Sequence, residues 1–302
     1  KRVPVAEYRT QRRGGKGVTA HKPKEEDFVD NMFVTSNHDD ILFFTDRGKV
    51  YSLKCYFIPD AQRTARGRAI VNLLQLEPNE KVCAMLPLKE NAEGFIVMAT
   101  KNGLIKKTAL SEFASIRKVG KIAIKIVDGD ELISVGLTGG NDEIITASYE
   151  GKCIRFSEND IRAMGRDTQG VKSIELNKGD RVVDMCIIKD DAEVITMTEN
   201  GYGKRSPLDD YRLQIRAGKG VKAGVFNEKT GKLVSLKLVT PNDDIMVITS
   251  AGTIIRVSSE DISRIGRDTQ GVKAMDLEEN DELIGMAVVK EGMKVLTITS
   301  NG

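Results

Sequence analysis

Tryptophan is absent from this chain, and aromatic residues make up only 5% of it. Platforms on which unpaired bases could stack are therefore scarce. Histidine is nearly missing: His21 and His38 are the only two, too few for a His-based triad or a multi-His metal centre. The four cysteines, Cys55, Cys83, Cys153 and Cys186, include no Cys-x-x-Cys pair, and each sits in an apolar stretch. That pattern predicts buried thiols in a reducing cytoplasm and argues against a metal site. No apolar run approaches the roughly 18 residues a membrane span needs. The basic segment from Lys1 to Arg13 has no apolar centre of the kind a secretory signal carries. An initiator Met is also lacking, as expected of a processed chain or an excised fragment. Excess charge of either sign is missing too, with 46 Lys+Arg against 44 Asp+Glu. What remains, 40% hydrophobic and 30% charged over 302 residues, is an ordinary globular composition.

What the sequence does have is repetition. The octapeptide Gly165-Arg-Asp-Thr-Gln-Gly-Val-Lys172 recurs letter for letter at Gly266 to Lys273. Variants stand at Arg216-Ala-Gly-Lys-Gly-Val-Lys222, Arg117-Lys-Val-Gly-Lys121, Arg63-Thr-Ala-Arg-Gly-Arg68 and Gln11-Arg-Arg-Gly-Gly-Lys-Gly17. The aligned glycines are Gly17, Gly67, Gly120, Gly170, Gly220 and Gly271, at intervals of 50, 53, 50, 50 and 51 residues. A second marker runs in phase: Thr or Ser, two residues, then Gly48, Gly103, Gly151, Gly201, Gly252 or Gly302. Flanked by β-rich runs, it reads as a hairpin, with a type I′ turn as the expected geometry.

One unit of about 50 residues thus reads as four short strands, which matches a propeller blade. No stretch sustains a helical period over three turns. The repeats run over about 11–60, 61–113, 114–163, 164–213, 214–264 and 265–302, the last completed by 1–10. Lys1-Arg-Val-Pro-Val-Ala-Glu-Tyr-Arg9 lines up with Lys204-Arg-Ser-Pro-Leu-Asp-Asp-Tyr-Arg212, supplying the strand that the final repeat lacks. The expected fold is all-β, a six-bladed propeller-like disc of four-stranded blades whose ring the N-terminal segment closes, leaving no open edge.

Charge follows the same period. Windows 8–18, 58–68, 111–121, 161–171, 211–221 and 262–272 hold 17 basic and 4 acidic residues, a net +13, while the other 236 residues carry −11. Equivalent positions of a closed disc lie on a circle, so these loops form a basic band. The candidate contacts are Arg9, Arg63, Arg66, Arg68, Arg117, Lys118, Lys121, Arg162, Arg166, Lys172, Arg212, Arg216, Lys219, Lys222, Arg264, Arg267 and Lys273. Evenly spaced cations without interleaved aromatics suit the backbone of duplex DNA. Bending 20–30 base pairs costs about 1–6 kcal/mol, whereas a single non-specific patch is worth about 5–8 kcal/mol. Several patches in series can therefore sustain a bend that one cannot. A structural role is also open, in which the arginines of the Arg166-Asp167 and Arg267-Asp268 copies satisfy carbonyls or pair with aspartate. Gly14, Gly15 and Gly17 either let the backbone approach phosphate or permit a tight turn.

Competing motifs fail on context. Gly15 to Ala20 and Gly218 to Ala223 match G-x-G-x-x-A, but a β-run follows each instead of a helix. No Gly-Lys pair precedes Ser or Thr, so there is no Walker A loop. The acidic stretches Asp128-Gly-Asp-Glu131 and Glu278-Glu-Asn-Asp-Glu282 fall in repeat-phased turns and read as solvated. A protein-interaction propeller with an incidental basic edge remains open; a phosphosugar enzyme, lacking converging carboxylates, is disfavoured.

Gln11-Arg-Arg-Gly-Gly-Lys-Gly17 resembles, at all seven positions, the GyrA box of the family formed by the C-terminal domain of the bacterial DNA gyrase A protein. The topoisomerase IV homologue, whose box is eroded, is the alternative. The resemblance spans the whole chain and implies a six-bladed β-pinwheel, which differs from a propeller in its strand exchange. It implies a module that wraps duplex DNA around its rim, with Gln11, Arg12, Arg13, Gly14, Gly15, Lys16 and Gly17 required for the wrap. It further implies a bacterial, cytoplasmic, monomeric domain without catalytic residues, metal or cofactor of its own. ATP and Mg²⁺ would act elsewhere in a holoenzyme that introduces negative supercoils, built with the gyrase B protein and the breakage-reunion part of the gyrase A protein.

Overall fold

A computed structural model describes residues 1–4, 7, 10–11, 18–19, 29–62, 65, 68–89, 91–189, 191–289 and 294–299. Its strands, numbered in chain order, fall into three kinds. The first kind, seven residues each, comprises β4 (Val29–Thr35), β7 (Val82–Leu88), β11 (Leu132–Thr138), β15 (Val182–Ile188), β19 (Leu233–Val239) and β23 (Leu283–Val289). The second kind forms hairpins: β5 (Asp40–Thr45) with β6 (Lys49–Lys54), β8 (Phe95–Thr100) with β9 (Leu104–Ala109), and β12 (Glu143–Ser148) with β13 (Lys152–Ser157). Two more are β16 (Glu193–Thr198) with β17 (Tyr202–Pro207) and β20 (Asp244–Thr249) with β21 (Thr253–Ser258). The chain ends supply a sixth pair, β24 (Lys294–Thr299) with β1 (Arg2–Pro4), in which Val3 faces Val295. The third kind is two residues long: β2 (Thr10–Gln11), β3 (Val18–Thr19), β10 (Lys121–Ile122), β14 (Val171–Lys172), β18 (Val221–Lys222) and β22 (Val272–Lys273).

The expectation that one repeat makes one sheet is corrected by the pairing. Sheet β19-β16-β17-β22 takes its hairpin from one repeat, its long strand from the next and its short strand from the one after. Sheets β11-β8-β9-β14 and β15-β12-β13-β18 follow the same rule, as does β10-β6-β5-β7. Only a four-residue link separates β15 from β16, yet β15 pairs with the preceding hairpin strand β12. Each repeat is thereby hydrogen-bonded into its neighbours, and otherwise bare hairpin edges are covered. Sequence periodicity defines the unit but carries no information on which unit a strand joins.

Five sheets among the described residues hold at least four strands, so the expected six four-stranded blades are not all present. The remaining sheet, β1-β24-β4, has three, and where the second repeat would supply a fourth the chain forms a 3₁₀ turn, Ile70–Asn72. The long strands pack in a circuit, β4 on β7, β7 on β11, and so on through β23, which returns to β4. They are the inner edge of every sheet, and the short strands are the outer edge.

Between adjacent sheets lies an apolar layer. Leu42, Phe44 and Leu86 meet Ile96, Met98 and Phe113 in one, and Ile195 and Met197 meet Val247, Ile255 and Met286 in another. The first hairpin strands are buried on both faces, which is why they read as continuous apolar runs such as Phe95–Thr100. The result is an all-β, propeller-like arrangement of four-stranded blades.

The hairpins fall where the Thr/Ser-x-x-Gly marker puts them, but their turns are not type I′. Only the glycine takes positive φ, with 72° at Gly48, 83° at Gly103 and 85° at Gly151. The loop has three residues with the left-handed one last, the other common hairpin solution. The marker's hydroxyl braces the turn separately. Thr100 Oγ1 accepts the Leu104 amide at 3.1 Å, and Ser148 Oγ accepts that of Lys152 at 3.2 Å. The acidic turns are likewise not simply solvated. Asp130 Oδ1 accepts the amide of Asn102 at 2.8 Å, and Asp281 Oδ1 accepts that of Ala251 at 3.0 Å, bracing the neighbouring hairpin. Of the thiols, Cys55 and Cys153 are buried, but Cys83 and Cys186 are only half-buried. Burial pushes the Cys153 thiol up to about 12.

Candidate nucleic-acid interface

The windows 111–121, 161–171, 211–221 and 262–272 sit on the outer edge, each between a 3₁₀ turn and a short strand. In 211–221 the chain leaves the turn Leu208–Asp210, buries Tyr211, and runs parallel to β13 through a Leu213–Arg155 bridge. Gln214 N–H then donates to Arg155 O at 2.8 Å. Gly220, at φ 68°, lies so close to β13 that a Cβ would stand 2.3 Å from Cys153 O, so glycine is required there. The same parallel bridge recurs as Lys107–Ala163 and Arg205–Arg264.

Three arginines of these loops are structural ties. Arg216 Nε donates to Asp160 O and Nη1 to Lys172 O, both at 2.9 Å. Arg267 Nε donates to Asp210 O at 3.0 Å, and Nη1 donates to Lys222 O. Arg166 Nη1 donates to Ile122 O at 2.9 Å, and Nε lies 3.7 Å from the Glu112 carboxylate. Every tie reaches back to the short strand of the preceding loop, so successive loops are chained around the perimeter. The carbonyl-satisfying role left open for Arg166 and Arg267 therefore describes their geometry, and Arg216 shares it.

Beneath the two identical octapeptides lie two buried lysines that sequence reasoning missed. Lys106 Nζ donates to Ala123 O at 2.9 Å and to Arg166 O. Lys204 Nζ donates to Gly266 O at 3.2 Å, Thr269 O at 2.8 Å and Arg267 O. Desolvation holds both ammonium groups down to about 8, from an ordinary 10.5. Ile154 and Ile255 occupy the corresponding strand positions in β13 and β21. The available signal was that each exact octapeptide follows a lysine about 60 residues upstream, at the third position of the strand after the Thr-x-x-Gly marker.

The remaining candidates divide cleanly. Arg68, Arg117, Lys118, Arg162, Lys172, Arg212, Lys219, Lys222, Arg264 and Lys273 are exposed on the outer loops. Arg264 also pairs with Glu193, and the Lys273 ammonium stands 5.4 Å from the Tyr202 ring centroid. Lys121 is half-buried and donates to Ala114 O at 2.7 Å. Gln11 is described through its backbone in β2. Arg9, Arg12, Arg13, Gly14, Gly15, Lys16, Gly17, Arg63 and Arg66 lie outside the described residues.

Strand-sharing repeats, an inner circuit of long strands and an outer edge of basic loops define a propeller-like, all-β repeat domain. The sequence matches the family described as DNA gyrase C-terminal domain, beta-propeller, over residues 1–36, 39–89, 94–138, 142–188, 192–240 and 243–290. The chain belongs to that family, the non-catalytic C-terminal domain of a type II topoisomerase. It is 49% identical over 289 residues to the DNA gyrase A protein of Escherichia coli K12, covering 95% of this chain and 33% of that protein. The corresponding protein of Staphylococcus epidermidis is 44% identical over 295 residues, covering 96% of this chain and 33% of its own length. The chain thus spans about a third of these relatives. A solved DNA gyrase A C-terminal domain superposes with a TM-score of 0.87 at 25% identity, covering 95% of this chain and 94% of that one. The C-terminal domain of DNA topoisomerase IV shares the fold at a TM-score of 0.73 and 24% identity, covering 85% and 80%. No helix among the described residues is long and apolar enough to cross a membrane.

Proposed function

We propose that this chain binds duplex DNA along its basic outer loops and bends the duplex around its edge. One observation carries the reading: in a member of the gyrase C-terminal domain family, exposed Arg and Lys side chains recur on equivalent outer loops, where a stiff polyanion could meet them in succession. The ring is a six-bladed β-pinwheel, with β1-β24-β4 as its sixth blade. Gln11 to Gly17, with Arg9, Arg63 and Arg66, anchor the path that the exposed side chains of later repeats continue. In a bacterial gyrase, together with the B protein and the rest of the A protein, the curled segment is presented for strand passage and the enzyme introduces negative supercoils. ATP and Mg²⁺ act outside this domain.

The test is equilibrium binding to linear duplexes of mixed sequence at graded salt. If about ten phosphates are neutralised, the log–log slope is near −9. A slope shallower than about −3, or no duplex shift at about 100 mM salt, would favour a protein-interaction propeller. Relaxed circles treated with a nicking-closing enzyme while bound report the wrap through a trapped linking difference, and an unchanged linking number rejects it.

A further inference from the structure

We infer that Ile215 is a wedge that enters the base stack of bound duplex DNA and kinks it at the loop 211–221. The inference rests on the DNA-binding reading and adds to it the residue that does the bending at this point of the path.

Ile215 is 81% exposed, ahead of Val71 at 63% and Val119 at 62% among the exposed large apolar side chains described. That exposure is not slack in the loop. On one side, Gln214 N–H is bonded to Arg155 O. On the other, Arg216 is tied at two carbonyls and Ala217 N–H donates to Ser173 O at 2.6 Å. The side chain is thus carried outward on a backbone fixed at both flanks.

Packing does not explain it. The residue before the tie arginine is Gly165 in one octapeptide loop and Gly266 in the other. A Cβ at Gly165 would meet only Asp167 Oδ1 at 3.5 Å, and at Gly266 only Asp268 Oδ1 at 3.7 Å. The same frame therefore closes with no side chain at this position. The loop 211–221 also lacks the aspartate found in 161–171 and 262–272. The same loop carries exposed Arg212 and Lys219, the short strand that follows it carries exposed Lys222, and half-exposed Leu213 stands two residues before Ile215.

An exposed apolar tip on a loop that also presents cations is the chemistry that kinks DNA. The cations grip phosphates on either side while the aliphatic group props open one base step. Such insertion tolerates most sequences but prefers pyrimidine–purine steps, which unstack most easily. It supplies a local kink, which the attraction of the cations to phosphate does not by itself produce.

The test uses the 302-residue chain and duplexes carrying one 2-aminopurine in a TA step between stiff A-tracts, with donor and acceptor dyes at the ends. Wild-type protein should raise 2-aminopurine fluorescence several-fold and shorten the end-to-end distance. Ile215→Ala should abolish the fluorescence rise and reduce the bend, with binding weakened by less than about tenfold. Ile215→Lys should bind at least as well without unstacking, and Ile215→Leu should behave as wild type. Because the side chain is solvent-facing, thermal midpoints of all three should stay close to the parent. If duplex binds but fluorescence never rises, or Ile215→Ala leaves both signals unchanged, the wedge is wrong and the DNA-binding reading stands. If the wild-type chain binds no duplex at all, both fall.

Discussion

The four fully described outer loops are of two kinds, and the difference turns on one residue of spacing. In 161–171, 211–221 and 262–272 an arginine stands four positions before the loop glycine and is spent on carbonyls of the previous loop and its 3₁₀ turn. In 111–121 the arginine stands three positions before Gly120, and half-buried Ile116 takes the tie position against the core. Arg117 is left exposed. Loops with similar charge counts therefore present different charge: in the tied loops much of it is mortar, and in the untied loop it faces outward. Counting basic residues locates the candidate interface but overstates how many of them are available to a phosphate.

The comparison can be broken most severely at the glycine that seats a tied loop. Gly220→Ala places a Cβ against Cys153 O in left-handed backbone, and unfolding in urea should show a loss of about 3 kcal/mol or more. A cost under about 1 kcal/mol would mean the loop is not seated as described.

Next in size is a pH effect confined to loops underlain by lysine. Lys106 and Lys204 are held down to about 8, against 10.5 for the ordinary side chain. Between those values the unfolded chain keeps the proton and the folded chain releases it, so stability rises as pH increases from about 8 to about 10. The rise should be on the order of 1–3 kcal/mol per lysine. Lys204→Met should remove its share of that slope, measured by urea unfolding at several pH values. Above this window Tyr51 and Tyr211, held above their ordinary value chiefly by burial, work in the opposite direction.

A smaller pair of effects should be reciprocal. Arg216→Ala orphans carbonyls and should cost about 1–3 kcal/mol of stability with little change in the salt dependence of DNA binding. Arg117→Ala should stay within about 0.5 kcal/mol in stability yet reduce the salt slope by about one. Equal behaviour of the two variants in both assays would erase the distinction.

Much of this was legible in the letters. Thr/Ser-x-x-Gly put five hairpins in place, its sixth occurrence at Gly302 lying outside the described residues, and matching Lys1–Arg9 with Lys204–Arg212 brought Arg2 to Leu296 across the chain ends. The window arithmetic put the basic loops 111–121, 161–171, 211–221 and 262–272 on a common edge. Strand exchange was not legible, because β15 reads identically whether it joins β16 or β12. The ties and the caged lysines were hidden for a related reason: their partners lie 17 to 65 residues away in sequence, on another repeat. The type I′ expectation failed because a glycine flanked by β-rich runs also closes a three-residue loop, and sequence does not count the loop. The 3₁₀ turns, each only three or four residues long, left no periodic trace.

Weaving has a consequence for biosynthesis. Residues 2–4 take their partners from 294–296, and Val18 and Thr19 from Ile254 and Thr253, so the first stretch of this domain off the ribosome waits for nearly the last. At about 5–20 residues per second that delay is on the order of tens of seconds. During it the leading strands have no native place to go, while the middle of the domain can already assemble. The domain must then finish as a clasp does, both sides arriving together, and synthesis halted within the final repeat yields an open band in place of a smaller ring.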